Sequence, residues 1–133
     1  MHKKRMDHEP PSAISKNNWR YHHLGIPTEQ VHPNEKYIEK YKMFVSGFEA
    51  SPYGIEWMRF ELDSPVSKII QTVPHIAFEV DDLELAVIGK ELIDEITSPS
   101  KGIRVAMILD NGAPIELIAV SYTHLTLPTN REV

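Results

Sequence analysis

Four side chains of the types that bind metals and move protons stand at matching places in this sequence. His23 precedes Glu56 by 33 residues, and His75 precedes Glu116 by 41. Each histidine lies in a short alternating run, YHHLGI (21–26) and VPHIAFEV (73–80), and each glutamate in another, IEWMRF (55–60) and PIELIAV (114–120). Side chains alternate between the two faces of a strand, so His23 lies opposite Leu24 and Ile26, and His75 lies opposite Ile76, Phe78 and Val80. By the same parity Glu56 shares a face with Met58 and Phe60, and Glu116 with Ile118 and Val120. A carboxylate turned inward on such a face costs on the order of several kcal/mol unless it is paired or metal-bound. The chain has no cysteine, so any metal here is held by His, Asp or Glu. Two imidazoles and two carboxylates make a mixed nitrogen and oxygen set suited to Zn, Ni, Co, Fe or Mn, with positions left for water or substrate. Such a site polarises a carbonyl and stabilises an enediolate while a neighbouring carboxylate moves a proton.

Plainer readings stand beside these. His75 alone reads as a hydrogen-bonded strand histidine, and Glu61 replaces Glu56 if the strand bulges. His22 and His23 are adjacent, so parity turns His23 inward and leaves His22 at the surface. Trp57, Arg59 and Tyr53 either line a pocket and bind an anion or serve packing and solvent contact. The Asp81-Asp82 pair reads as helix capping.

The elements that must position the four residues follow from periodicity. Asn34 caps a predicted helix over NEKYIEKY with Tyr37, Ile38 and Tyr41 as its packing stripe. KMFVSGFEA (42–50) and IEWMRFEL (55–62) read as a hairpin. Ser64 and Pro65 start a predicted short helix, PVSKIIQ, and Asp82 caps a second, LELAVIG, which Gly89 stops. ELIDEI reads as a strand, SPSKG (98–102) as a turn, and IRVAMILD (103–110) and PIELIAV as strands joined by Asn111-Gly112, a two-residue hairpin signal. Laid side by side, the halves repeat as strand, helix, then strands ending in a glutamate. The reading is an α+β fold of two βαβββ-like modules whose curved mixed sheet surrounds a metal site.

Composition sets the limits. With 133 residues, 41% hydrophobic and 25% charged, the chain suits one domain, and no apolar run is long enough to span a membrane. A net charge of −5 speaks against a nucleic-acid partner, MHKKR (1–5) being read as a solvated tail. The lack of cysteine is compatible with a cytoplasmic protein. Residues 1–20, with Pro10 and Pro11, read as a mobile arm, and 21–120 as the domain, with halves of about 21–62 and 73–120. SYTHLTLPTNREV (121–133) resembles the read-through peptide that library adapters leave on metagenome-derived reading frames, and is expected to be non-native; Tyr122 to Leu127 would otherwise suit an edge strand.

IEWMRFELDSP, VPHIAFEVDDLE and APIELI, together with HHLGI at 22–26, resemble motifs of the vicinal oxygen chelate superfamily, which contains glyoxalase I, bleomycin-resistance proteins and ring-cleaving dioxygenases. The wording is closest to methylmalonyl-CoA epimerase and covers about Tyr21 to Val120. The resemblance implies that His23, Glu56, His75 and Glu116 bind one divalent metal and that Glu116 doubles as the base beside the substrate carbonyl, with Glu56 the other candidate catalytic carboxylate. It implies a lyase or isomerase that transfers a proton through an enediolate on a small-molecule substrate, and a homodimer is compatible with it. The alternative is a metal-free small-molecule binding protein of the bleomycin-resistance type. Two departures stand out: the stretch between His23 and Glu56 is short, and no first-half residue matches the epimerase's additional catalytic glutamate.

Overall fold

The computed structural model describes residues 4–121. After a helical turn, α1 (Ser12–Ser15), the first half contains β1 (Arg20–Pro27), β2 (Lys36–Ile38), a 3-10 turn (Glu39–Tyr41), β3 (Met43–Ser46) and β4 (Ile55–Phe60). Helix α2 (Lys68–Thr72) leads into the second half, β5 (His75–Glu79), α3 (Leu83–Ala86), β6 (Glu91–Ser100), β7 (Ile103–Asp110) and β8 (Ala113–Val120). The eight strands form one curved sheet in the order β2-β3-β4-β1-β5-β8-β7-β6. In each half the first strand lies parallel to the last, β1 on β4 and β5 on β8, and the two first strands meet antiparallel at the middle of the sheet. The expected repeat is exact in register. Gly25, two residues after His23, pairs with Glu56, and Ala77, two residues after His75, pairs with Glu116.

The strand faces divide as alternation requires. Phe78, Val80, Leu83, Ala106, Ile108 and Leu117 form the buried core on the outer face of the second half, under α3. The side chain of Asp82 accepts a hydrogen bond from the Leu85 amide at 3.1 Å, capping α3 as expected. Asn111 and Gly112, both at positive φ (52° and 83°), make the predicted tight turn between β7 and β8. Trp19, just ahead of β1, packs its ring on Phe78 with centroids 5.8 Å apart.

Three expectations are corrected. NEKYIEKY is not one α-helix: Asn34 takes a left-handed turn conformation at φ 62°, Lys36–Ile38 pairs with β3, and only Glu39–Tyr41 makes a 3-10 turn. A helix of about two turns is marginal in water, whereas the strand lets Tyr37 pack on Phe44 at 4.8 Å between centroids and donate its hydroxyl to Glu61 at 2.6 Å. The helix expected from Ser64-Pro65 begins at Lys68, because Ser64 instead donates to the Tyr41 carbonyl at 2.6 Å. The turn expected over 98–102 shrinks to Lys101-Gly102, with Ser98–Ser100 continuing β6. Pro99 is tolerated there because β6 is the outermost strand of the sheet.

The two halves differ between their first two strands. The second contains helix α3 between its first two strands, whereas residues 28–35 of the first form a loop. This loop is tied to the outer face of β4, where Glu35 accepts two hydrogen bonds from Arg59 at 2.9 and 2.7 Å and the His32 ring stacks on Trp57. Among the described residues no helix is long and apolar enough to cross a membrane. The edge strand considered for Tyr122 to Leu127 lies outside the described residues.

Candidate metal centre

The central strands bring the histidines and glutamates of both halves together on the inner face. His75 Nε2 lies 2.9 Å from Glu116 Oε1, and His23 Nε2 lies 3.2 Å from the same oxygen. Glu56 Oε1 is 3.5 Å from His23 Nε2. Both histidines are buried, and the rings meet edge to face, 5.4 Å between centroids. The register accounts for this convergence. β1 and β5 are neighbours, β4 and β8 flank them, and the same two-residue offset in each half directs the glutamates toward the imidazoles.

The donor set fits a divalent ion. Ligands roughly 2.0–2.2 Å from one ion and at right angles to each other sit about 3 Å apart, the spacing between Glu116 Oε1 and the two Nε2 atoms. The donor atoms of His23, His75 and Glu116 all lie within 4.8 Å of one another, so this trio could hold a metal ion. Glu56 sits beside the trio as a second carboxylate.

The electrostatics separate the two carboxylates. Burial pushes the Glu116 carboxyl up, but hydrogen bonds and charge from His23 and His75 outweigh it and hold the pKa at about 2. At Glu56 burial again acts upward and prevails, leaving its pKa above the usual carboxylate value. Burial pushes the His23 imidazole down, yet its bond to Glu116 and the charges of Glu116 and Glu56 carry it above its ordinary value.

These four groups line a cavity of about 440 Å³ with the apolar side chains of Met43, Met58, Phe60, Ile70, Val105 and Met107. Glu56, Met58 and Phe60 share this lining, as parity requires. Trp57 and Arg59 occupy the opposite face, where their contacts are His32, Glu35 and Phe44. Tyr53 is exposed, and Glu61 accepts from Tyr37. Glu56 thus lies beside His23, on the face where parity places it, and Trp57, Arg59 and Tyr53 are not among the side chains that line this cavity.

Alternation overlooked two residues. His22 is exposed, as expected, but it sits in a bulge of β1, since Tyr21 pairs with Phe78 and His23 with the adjacent Ala77. Its Nδ1 thereby comes within 2.8 Å of His23 Nδ1. Gly25 pairs across the strands with His75 and leaves room for that ring. The only sequence trace of either is the compact HHLG run itself, because a bulge breaks the parity from which a reader works.

No protein-family model matches the sequence, and no curated protein matches it. Among solved structures, the hypothetical protein BH1468 from Bacillus halodurans C-125 is similar with a TM-score of 0.58 at 18% identity, over 76% of this chain and 94% of that one. Methylmalonyl-CoA epimerase from Mycobacterium tuberculosis is similar with a TM-score of 0.53 at 17% identity, over 86% of this chain and 92% of that one. At these identities the likeness is one of fold. The curved eight-stranded sheet, built from two repeats, has the glyoxalase-like fold that the sequence motifs implied, and its inner face carries the His and Glu cluster.

Proposed function

We propose that this chain is a divalent-metal-dependent lyase or isomerase of the glyoxalase/epimerase type, transferring a proton next to the carbonyl of a small α-hydroxy, α-keto or acyl-thioester substrate through an enediolate. The observation that carries this reading is the convergence of His23, His75 and Glu116, with Glu56 beside them, on one apolar cavity. A cavity made only to bind an apolar molecule has no need of two buried imidazoles facing two carboxylates.

His23, His75 and Glu116 hold the ion, with Glu56 the adjacent fourth donor. When bound, the ion supplies Lewis acidity to the substrate carbonyl. The carboxylates divide the remaining work. Glu116 Oε1 is engaged by both imidazoles. Glu56 touches only the edge of the cluster, which leaves it the freer of the two carboxylates to take and return the proton. The apolar wall of Met58, Phe60, Val105 and Met107 excludes water from the carbanionic intermediate.

Metal analysis of protein purified without chelator tests the reading. Wild type is expected to carry near-stoichiometric divalent metal, and His75→Ala and Glu116→Ala to lose it. Glu56→Gln is expected to retain the metal while solvent-deuterium exchange beside the substrate carbonyl falls by about 10²–10⁴-fold. Wild type that takes up none of Zn, Ni, Co, Mn or Fe(II) overturns the mechanism and leaves the metal-free binding protein in its place.

A further inference from the structure

The two imidazoles at the centre are supported differently. The fold repeats from one half to the other, but the residue before His75 is Pro74 and the residue before His23 is His22. A flat strand would send His22 to the outer face. The bulge between Tyr21 and His23 adds one residue to β1 against β5, and the extra residue is His22. Its ring packs nearly parallel to Phe48, with centroids 5.2 Å apart and an interplanar angle of 10°. Phe48 also receives the edge of His23, at 5.9 Å and 83°. Held in this corner, His22 Nδ1 lies 2.8 Å from His23 Nδ1, while the opposite nitrogen of the His23 ring faces Glu116 and Glu56.

A neutral imidazole carries one proton, so a ring that ligates through Nε2 must bear it on Nδ1. At His23 that proton is directed at His22 Nδ1, which accepts it with the His22 proton on Nε2. Ligating histidines are commonly oriented by a hydrogen bond from their second nitrogen. Among the described residues His75 Nδ1 has no such partner, and the position of its ring follows from packing over Gly25.

We infer that His22 is a positioning residue. It accepts the Nδ1 proton of His23 and thereby fixes the tautomer and ring angle that present His23 Nε2 to the ion. This rests on the metal reading above and concerns a residue outside its ligand set.

Chelator competition with Zn(II) tests it, using wild type, His22→Phe and His22→Asn. Phenylalanine keeps the stack on Phe48 and removes the acceptor, whereas asparagine keeps an acceptor oxygen close to the same place. Zn(II) affinity is expected to fall about ten- to a hundredfold in His22→Phe and to stay within about threefold of wild type in His22→Asn, a rescue that mere packing would not produce. In long-range ¹⁵N–¹H spectra of the Zn(II)-loaded protein, the His23 Nδ1 proton is expected in wild type and His22→Asn and lost to exchange in His22→Phe. Circular dichroism checks folding, and His22→Leu replaces the phenylalanine variant if that one is unfolded. His22→Phe with wild-type affinity and an intact Nδ1 signal overturns the inference, as does an equal loss in both variants. Wild type that binds no Zn(II) overturns the metal reading as well, so the two failures are distinguishable.

Discussion

Gly25 and His75 face each other across β1 and β5, and the Cβ that Gly25 lacks would fall 2.3 Å from His75 Cε1 and 2.8 Å from both ring nitrogens. No real Cβ contact is that short, so the imidazole occupies space that exists only because residue 25 has no side chain. His75 is buried and its ring is confined by the sheet, which leaves it little freedom to yield.

Gly25→Ala is therefore expected to displace the His75 ring and disturb the donor cluster. Overpacking of this kind costs about 1–3 kcal/mol, read as a lower Tm. Metal affinity, measured by chelator competition, falls by about ten- to a hundredfold, the scale seen when the orientation of a ligand is lost. Alanine at position 25 with unchanged affinity would show that His75 relaxes without leaving the site.

The chelated protein has a pH window set by its imidazole and carboxylate pairs. Glu116 titrates at about 2 in the fold against an ordinary 4.5, so its contribution is present above 4.5 and lost as pH falls toward 2. His23 titrates above its ordinary 6.5, so its contribution is present below 6.5 and lost as pH rises through the raised value. Burial raises the Glu56 carboxyl above its ordinary 4.5, so its ionisation adds to the loss as pH rises. Tm in chelator is expected to peak toward the acid side of the window from about pH 4.5 to 6.5, and Glu116→Gln to weaken both limbs because it removes the partner shared by His23 and His75. A wild-type profile that keeps rising above neutral pH contradicts this account.

Asp82 anchors α3, which packs on the core of the second half. Asp82→Ala removes the acceptor for the Leu85 amide and is expected to cost about 1 kcal/mol, seen as a Tm lower by a few degrees. Leu83, the most buried residue of α3, stays in place, so metal content should not change. Metal loss in this variant would mean that α3 supports the site from the far side of the sheet.

Much of the site was legible because strand parity is a local rule. The run PHIAFEV places His75 opposite Phe78 and Val80 whatever the strand packs against, and PIELIAV treats Glu116 likewise. The matching offsets in the two halves then brought four polar residues toward one place. Parity gave the exposure of His22 but not its contact with His23, because the extra residue of a bulge is a property of the paired strands. It was also insufficient for NEKYIEKY, whose helical spacing is real but too short to outweigh pairing with β3.

The sequence by itself determined the residue types available for chemistry, the exclusion of thiolate ligands, the faces of the long strands and the two-fold repeat, since all of these follow from composition and period. Only the tertiary structure decided that Glu56 lies beside His23, that Arg59 is held by Glu35 on the outer surface, and that Gly25 and His22 support the two histidines in different ways. Those outcomes depend on which strands lie side by side and in what register, and cross-strand register is set by the packing of the whole sheet.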